Sequence, residues 1–178
     1  MPITVSSHDP NWKVAFDTEV RHIKAALAPT VIDLEHIGST SIEAIYAKPI
    51  IDLLGSVRDL HALDTHASQM EGLGYEVMGA FGIAGRRYFR KTTAQGIRTY
   101  HLHVFAQGSE QITRHLAFRD YLRARPRVAK AYSDLKRRLA DDPATTWDSY
   151  MEAKDPFIKT TEAEALQWYA DKAAQVRK

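Results

Sequence analysis

The 178-residue sequence has no cysteine, which removes disulfides, thiolate metal sites and cysteine nucleophiles. No apolar run approaches the ~20 residues needed to cross a bilayer. The opening stretch MPITVSSHDPNWKVAF lacks an apolar core of signal-peptide length. A cytoplasmic protein with no membrane partner is therefore expected. Strong charge of one sign is also missing. The net charge of +2 does not supply the broad basic field that nucleic-acid binding draws on, so nucleic acid is not an expected partner. No stretch is rich enough in glycine, serine or proline to mark a linker, and one domain over residues 1–178 is expected. What is present, 44% hydrophobic and 26% charged residues, is the balance of an ordinary globular protein with a sizeable core.

Trp12, Phe16, Val20, Ile23 and Leu27 recur at three- and four-residue steps and predict an amphipathic helix ending before Pro29. Residues 31–37 read as a strand closing on Gly38, and the apolar run PIIDLLGSV as an interior strand covered on both faces. A helix over Leu60–Leu73 and a strand at YEVM follow. Beyond a glycine-containing loop at 79–85, RRYFRKT and RTYHLHVF form a hairpin across TAQG. Past Gly108 the pattern is helical. The expectation is α/β (α+β): a mixed sheet with packed helices at about 1–108 and a helical section at about 109–178.

Four features carry candidate chemistry. In EHIGST, Gly38 lets the backbone approach a ligand, and Ser39 and Thr40 add hydroxyl donors suited to a phosphate, although strand punctuation alone also accounts for the turn. Asp52 lies inside an apolar run, where an acid needs a cation, a metal or a strand end. In YHLHV, alternation puts His101 and His103 on one face, as paired ligands, a general base or a wet strand face. Among the basic residues Lys48, Arg86, Arg87, Arg90, Lys91, Arg98, Arg119, Arg123 and Lys136, most read as solvated surface. The Arg86–Arg87 pair at a strand start is the exception, with Arg87 favoured to grip an anion. His115, Asp120, Tyr121 and the Tyr150–Lys154 pair at i, i+4 read as packing or surface.

A strand, Gly-Ser, twelve intervening residues and a strand bearing Asp52 resemble the nucleotidyltransferase superfamily signature. With DPNW, AKPIIDLL, GYEV, GRRYF, HLAFRDYLRARP and AYSDLKRRLA in this order, the chain resembles the GrpB family over about residues 8–160. The resemblance implies a nucleotidyltransferase-like fold. It implies ATP or another nucleoside triphosphate at Gly38, Ser39 and Thr40, charge neutralisation by Lys48 and Arg87, and a divalent metal on Asp52. The expected reaction is nucleotidyl transfer to a small-molecule acceptor, including activation of a carboxylate for amide formation. Two departures stand out. The second acid of the signature is replaced by Leu54, and SIEAIYAK, with Glu43, stands where Val-Pro-Gly is common in the family. His101, His103 or Glu35 would have to complete the metal site, or a single metal binds. An Asp/His/His set favours Mn or Zn over Mg. The alternatives are an inactive nucleotide- or anion-binding module and a metal-dependent hydrolase built on Asp52, His101 and His103.

Overall fold

The computed structural model describes residues 3–176; the outermost residues of the expected 1–178 domain lie outside them. Helix α1 (Asn11–Leu27) starts where Asp9 Oδ1 accepts the Asn11 N–H at 2.9 Å. It buries Trp12, Phe16, Glu19, Ile23 and Leu27 on one stripe. Full burial of Ile23 and Leu27 contributes roughly 1.5–3 kcal/mol each. Glu19 is the one acid on that stripe, and Lys91 Nζ reaches it at 2.9 Å from the sheet.

The strands are β1 (Ile32–Ile37), β2 (Ile51–Val57), β3 (Tyr75–Val77), β4 (Arg87–Thr92) and β5 (Arg98–Ala106), in spatial order β1-β2-β5-β4-β3. Only β2 and β5 run parallel. This mixed sheet agrees with the expected class, and β2 lies inside it, as its apolar run requires. Between β2 and β3, two short helices, α2 (Leu60–Asp64) and α3 (Ala67–Gly72), replace the single expected one. Asp59 caps α2 through the His61 N–H at 2.8 Å, and the chain turns again where the His66 ring meets Thr30 Oγ1 at 3.0 Å.

The helical section comprises α4 (Glu110–Ala124), α5 (Pro126–Asp141) and α6 (Trp147–Val176). Ser109 caps α4, Pro126 opens α5, and α6 continues through Pro156. One sheet face packs Leu53, Val57, Leu102 and Val104 against α1 and α3. The other packs Ile37, Leu54 and Phe105 against Ile112 and Leu116 of α4. Helix α5 meets the loop after β1 through Ile42, Ile45, Ala129 and Tyr132. These contacts set α5 and the start of α6 beside the β1–β2 connection. Among the described residues, no helix is long and apolar enough to cross a membrane.

Candidate functional site

Strand β1 ends at Ile37, and Gly38 leads into a single 3-10 turn, Ser39–Ser41. Register pairs Ile37 with Asp52 and Asp52 with His101, so the end of β1 delivers the turn directly to the acid. Gly38 has φ +70°, and a Cβ built on it would lie 2.3 Å from Asp52 Oδ2. The glycine is required by both conformation and proximity. Ser41 Oγ donates to the Gly38 carbonyl at 2.7 Å and closes the turn.

The two hydroxyls of the turn differ. Thr40 is buried and donates to the Ile50 carbonyl at 3.1 Å. Its single proton is thereby used, so the contact with His36 Nε2 at 3.0 Å is a donation from the ring. Burial pushes His36 down to about 4, and its ring stacks on Phe16. Thr40 is therefore a brace within the turn. Ser39 lines the cleft, where it accepts from Lys136 Nζ at 2.8 Å.

Gly38, Ser39, Thr40, Lys48, Asp52 and His101 line one cleft of about 270 Å³, closed by Tyr132 and Lys136 of α5 and by Trp147, Tyr150, Met151 and Lys154 of α6. Three ammonium groups enter it. Lys48 Nζ sits 3.5 Å from the Trp147 ring centroid and 4.2 Å from that of Tyr150; Lys154 is also 4.2 Å from Tyr150, and Lys136 is 4.5 Å from Tyr132. Burial, then repulsion from Lys154 and Lys48, lowers Lys136 to about 7. Burial and Lys154 lower Lys48 to about 8; burial lowers Lys154 to about 8, against the pull of Asp52. Three partly discharged cations facing one carboxylate make an anion site.

Lys136 and Lys154 correct the expectation of solvated surface and packing. Lys136 is 3% exposed and Lys154 9% exposed. The signal for Lys136 is positional: Ala129, Tyr132, Ser133 and Lys136 form one buried stripe of α5.

Asp52 Oδ1 meets His101 Nδ1 at 3.0 Å, and Asp52, His101 and His103 offer donor atoms within 4.8 Å of one another. Burial lowers His103 to about 4, with Asp52 opposing. Arg86 Nη1 approaches His103 Nδ1 at 3.4 Å. A guanidinium only donates, which makes Nδ1 the acceptor and leaves the ring proton on Nε2. Glu35 does not turn toward this group: its Oε2 accepts from Arg119 at 2.7 Å.

Arg87 is absent from the cleft lining. Its partner in β5 is Val104, on the α1 face of the sheet, and its guanidinium grips Asp64 of α2 at 2.7 Å. The neighbouring Arg86 points to the site face, held by the Ala80 and Phe81 carbonyls at 3.1 and 2.6 Å. Glu43 lies in a separate hollow of about 550 Å³ behind the turn, with Arg123 and Lys130, and does not line the cleft.

A family model described as "GrpB protein" matches residues 2–164. The Bacillus subtilis UPF0157 protein YqkA is 43% identical over 166 residues, covering 93% of this chain and 48% of that protein. The chain thus spans about half the length of that relative. The crystal structure of conserved protein GrpB from Enterococcus faecalis superposes with a TM-score of 0.87 and 42% identity, covering 93% of this chain and 99% of that one. A distant likeness, with TM-score 0.46 and 14% identity, covers 75% of this chain and 45% of the Cid1 poly(U) polymerase.

Proposed function

Because the chain belongs to the GrpB family, we propose that it is a nucleotidyltransferase-like enzyme that binds a nucleoside triphosphate with a divalent metal and transfers the nucleotidyl group to a small-molecule acceptor. The carrying observation is the convergence of Lys48, Lys136 and Lys154 on the Ser39–Asp52 corner. Phosphate oxygens would take Lys136 and the Ser39 hydroxyl as donors, and Lys48 and Lys154 would balance the remaining charge. Trp147 and Tyr150 wall the same space with aromatic surface. A carboxylate acceptor, which carries no proton to dispose of, would form a bond from its oxygen to the α-phosphorus as the bond to the pyrophosphate oxygen breaks, with the pyrophosphate charge held by the lysines.

The donor set bears on the metal. The Asp52 carboxylate only accepts, so the 3.0 Å contact puts the proton on His101 Nδ1 and leaves Nε2 as the bare nitrogen. Asp52 and His101 would hold one ion through a carboxylate oxygen and Nε2, or through Nδ1 once that proton has left. His103 fits as a third only if Arg86 leaves its Nδ1, because a ligating imidazole must offer a bare nitrogen. A carboxylate with imidazole favours Mn or Zn over Mg. Such an ion would supply Lewis-acid polarisation of the α-phosphate.

A second reading, a binding module without turnover, draws on Leu54. It is 2% exposed within an apolar cluster, and Glu35 is engaged by Arg119, so no second carboxylate joins Asp52 among the described groups. Thermal-shift measurements with nucleoside triphosphates and Mg, Mn or Zn test both. A ligand at a hundredfold excess over Kd adds about 2.7 kcal/mol of apparent stability. Asp52→Asn should lose the metal-dependent part of the shift, and with it pyrophosphate release over an acceptor panel. Binding without pyrophosphate release in the native protein selects the module; no shift with any triphosphate and metal removes both readings.

A further inference from the structure

The three lysines of the cleft are satisfied unequally. Lys136 donates to Ser39 Oγ at 2.8 Å. Lys48 lies on the Trp147 and Tyr150 rings, at 3.5 and 4.2 Å. Lys154 has one aromatic contact, the Tyr150 ring at 4.2 Å, and no oxygen of the described residues accepts from it at hydrogen-bond distance. Its side chain is 9% exposed. Among the described residues, the buried polar atoms sealed from solvent without a partner are His66 Nδ1 and Tyr75 OH. The Lys154 nitrogen is not one of them, so it opens onto the cleft that the residue lines.

An ammonium stripped of water and given no acceptor in its place is held unfavourably. Losing the proton relieves this, and burial lowers Lys154 to about 8 against the pull of Asp52. The product is a primary amine with a free lone pair, the species that attacks a carbonyl carbon. Lys48 and Lys136 line the same cleft and leave cationic charge beside that amine. Lys48 and Lys154 flank one ring, so a single compact molecule reaches both nitrogens. At about 270 Å³ the cleft is at the small end of ligand pockets. Trp147 and Met151, both exposed, add apolar surface to its lining.

We propose that Lys154 captures a compact aldehyde bearing a phosphate group as an imine, with Lys48 and Lys136 holding the phosphate. The Nζ lone pair forms a bond to the carbonyl carbon, both hydrogens of the amine leave with the carbonyl oxygen as water, and a C=N bond remains. Nothing is oxidised or reduced. This activity shares the cleft with the transfer reading above but does not rest on it.

Pyridoxal 5′-phosphate, an aldehyde with a phosphate, is the probe. The full chain is incubated with it at about pH 8, reduced with borohydride and mapped by peptide mass spectrometry. The reduced adduct should concentrate on Lys154, about tenfold or more over any other lysine. Pyridoxal, the same aldehyde without the phosphate, should label Lys154 about tenfold more slowly, as the loss of charge-assisted contacts requires. Without reductant, the native protein should show an imine absorbance that Lys154→Met lacks. That variant should unfold at no lower temperature, since it removes a buried cation. Adducts spread over surface lysines, an adduct centred on Lys48 or Lys136, equal labelling by pyridoxal, or imine absorbance retained in Lys154→Met overturns the proposal. An adduct at Lys154 in a protein that binds no nucleoside triphosphate would uphold it and remove the transfer reading alone. Triphosphate binding with no adduct at Lys154 would overturn imine capture alone.

Discussion

Gly38 and Asp52 determine each other's place. The strand end turns through a positive φ that glycine adopts freely, and the carboxylate occupies the volume where a Cβ would sit. Gly38→Ala should therefore destabilise the protein by about 2 kcal/mol or more, through both strain and displacement of Asp52. Urea unfolding would measure the loss, and the metal-dependent thermal shift should vanish with it. Gly38, Ser39 and Asp52 were legible in the sequence because a turn and an acid in an apolar run are local signals. Thr40 was only half legible. Its hydroxyl is spent on Ile50 and His36, a bond across the fold that residue type does not announce.

At the scale of elements, strand parity decides which arginine meets the site. Arg87 shares a face with Phe89 and reaches α2, whereas Arg86 shares a face with Tyr88 and reaches His103. Asp64→Ala should cost no more than about 1 kcal/mol, because that pair is partly exposed. It should leave triphosphate binding unchanged in a thermal-shift titration; a lost shift would return Arg87 to the ligand. The long helices and the four main strands were legible from their periodicity. The break between α2 and α3 was not, because Leu63 and Met70 are seven residues apart and both buried, a spacing that one continuous helix also satisfies. Lys136 was hidden by its own chemistry: on a buried stripe a long cationic side chain looks like a solvated one until its neighbours are known.

The whole molecule brings the sheet and two distant helices to one charged cleft, and this gives stability and binding opposite dependences on pH. Lys48, Lys136 and Lys154 have an ordinary value of 10.5, but in the fold they release protons near 8, 7 and 8. Between about pH 7 and 10.5 the unfolded chain holds more protons on these groups, so their contribution to stability rises with pH. Polyanion binding needs the charged form, and tripolyphosphate affinity should fall from pH 7 to 9. Calorimetric titration and thermal unfolding across that range check both slopes. Lys136→Met should flatten each of them and stabilise the ligand-free protein at pH 7, since it removes a buried cation.

The cleft joins Gly38–Asp52, from the first third of the chain, to α5 and α6 in the last, across a layer boundary where like charges push outward. Lys48, from the β1–β2 connection, and Lys154, from α6, flank the same Tyr150 ring. A polyanion seated there would act as a keystone, turning the repulsion that wedges helix from sheet into the force that clamps them together.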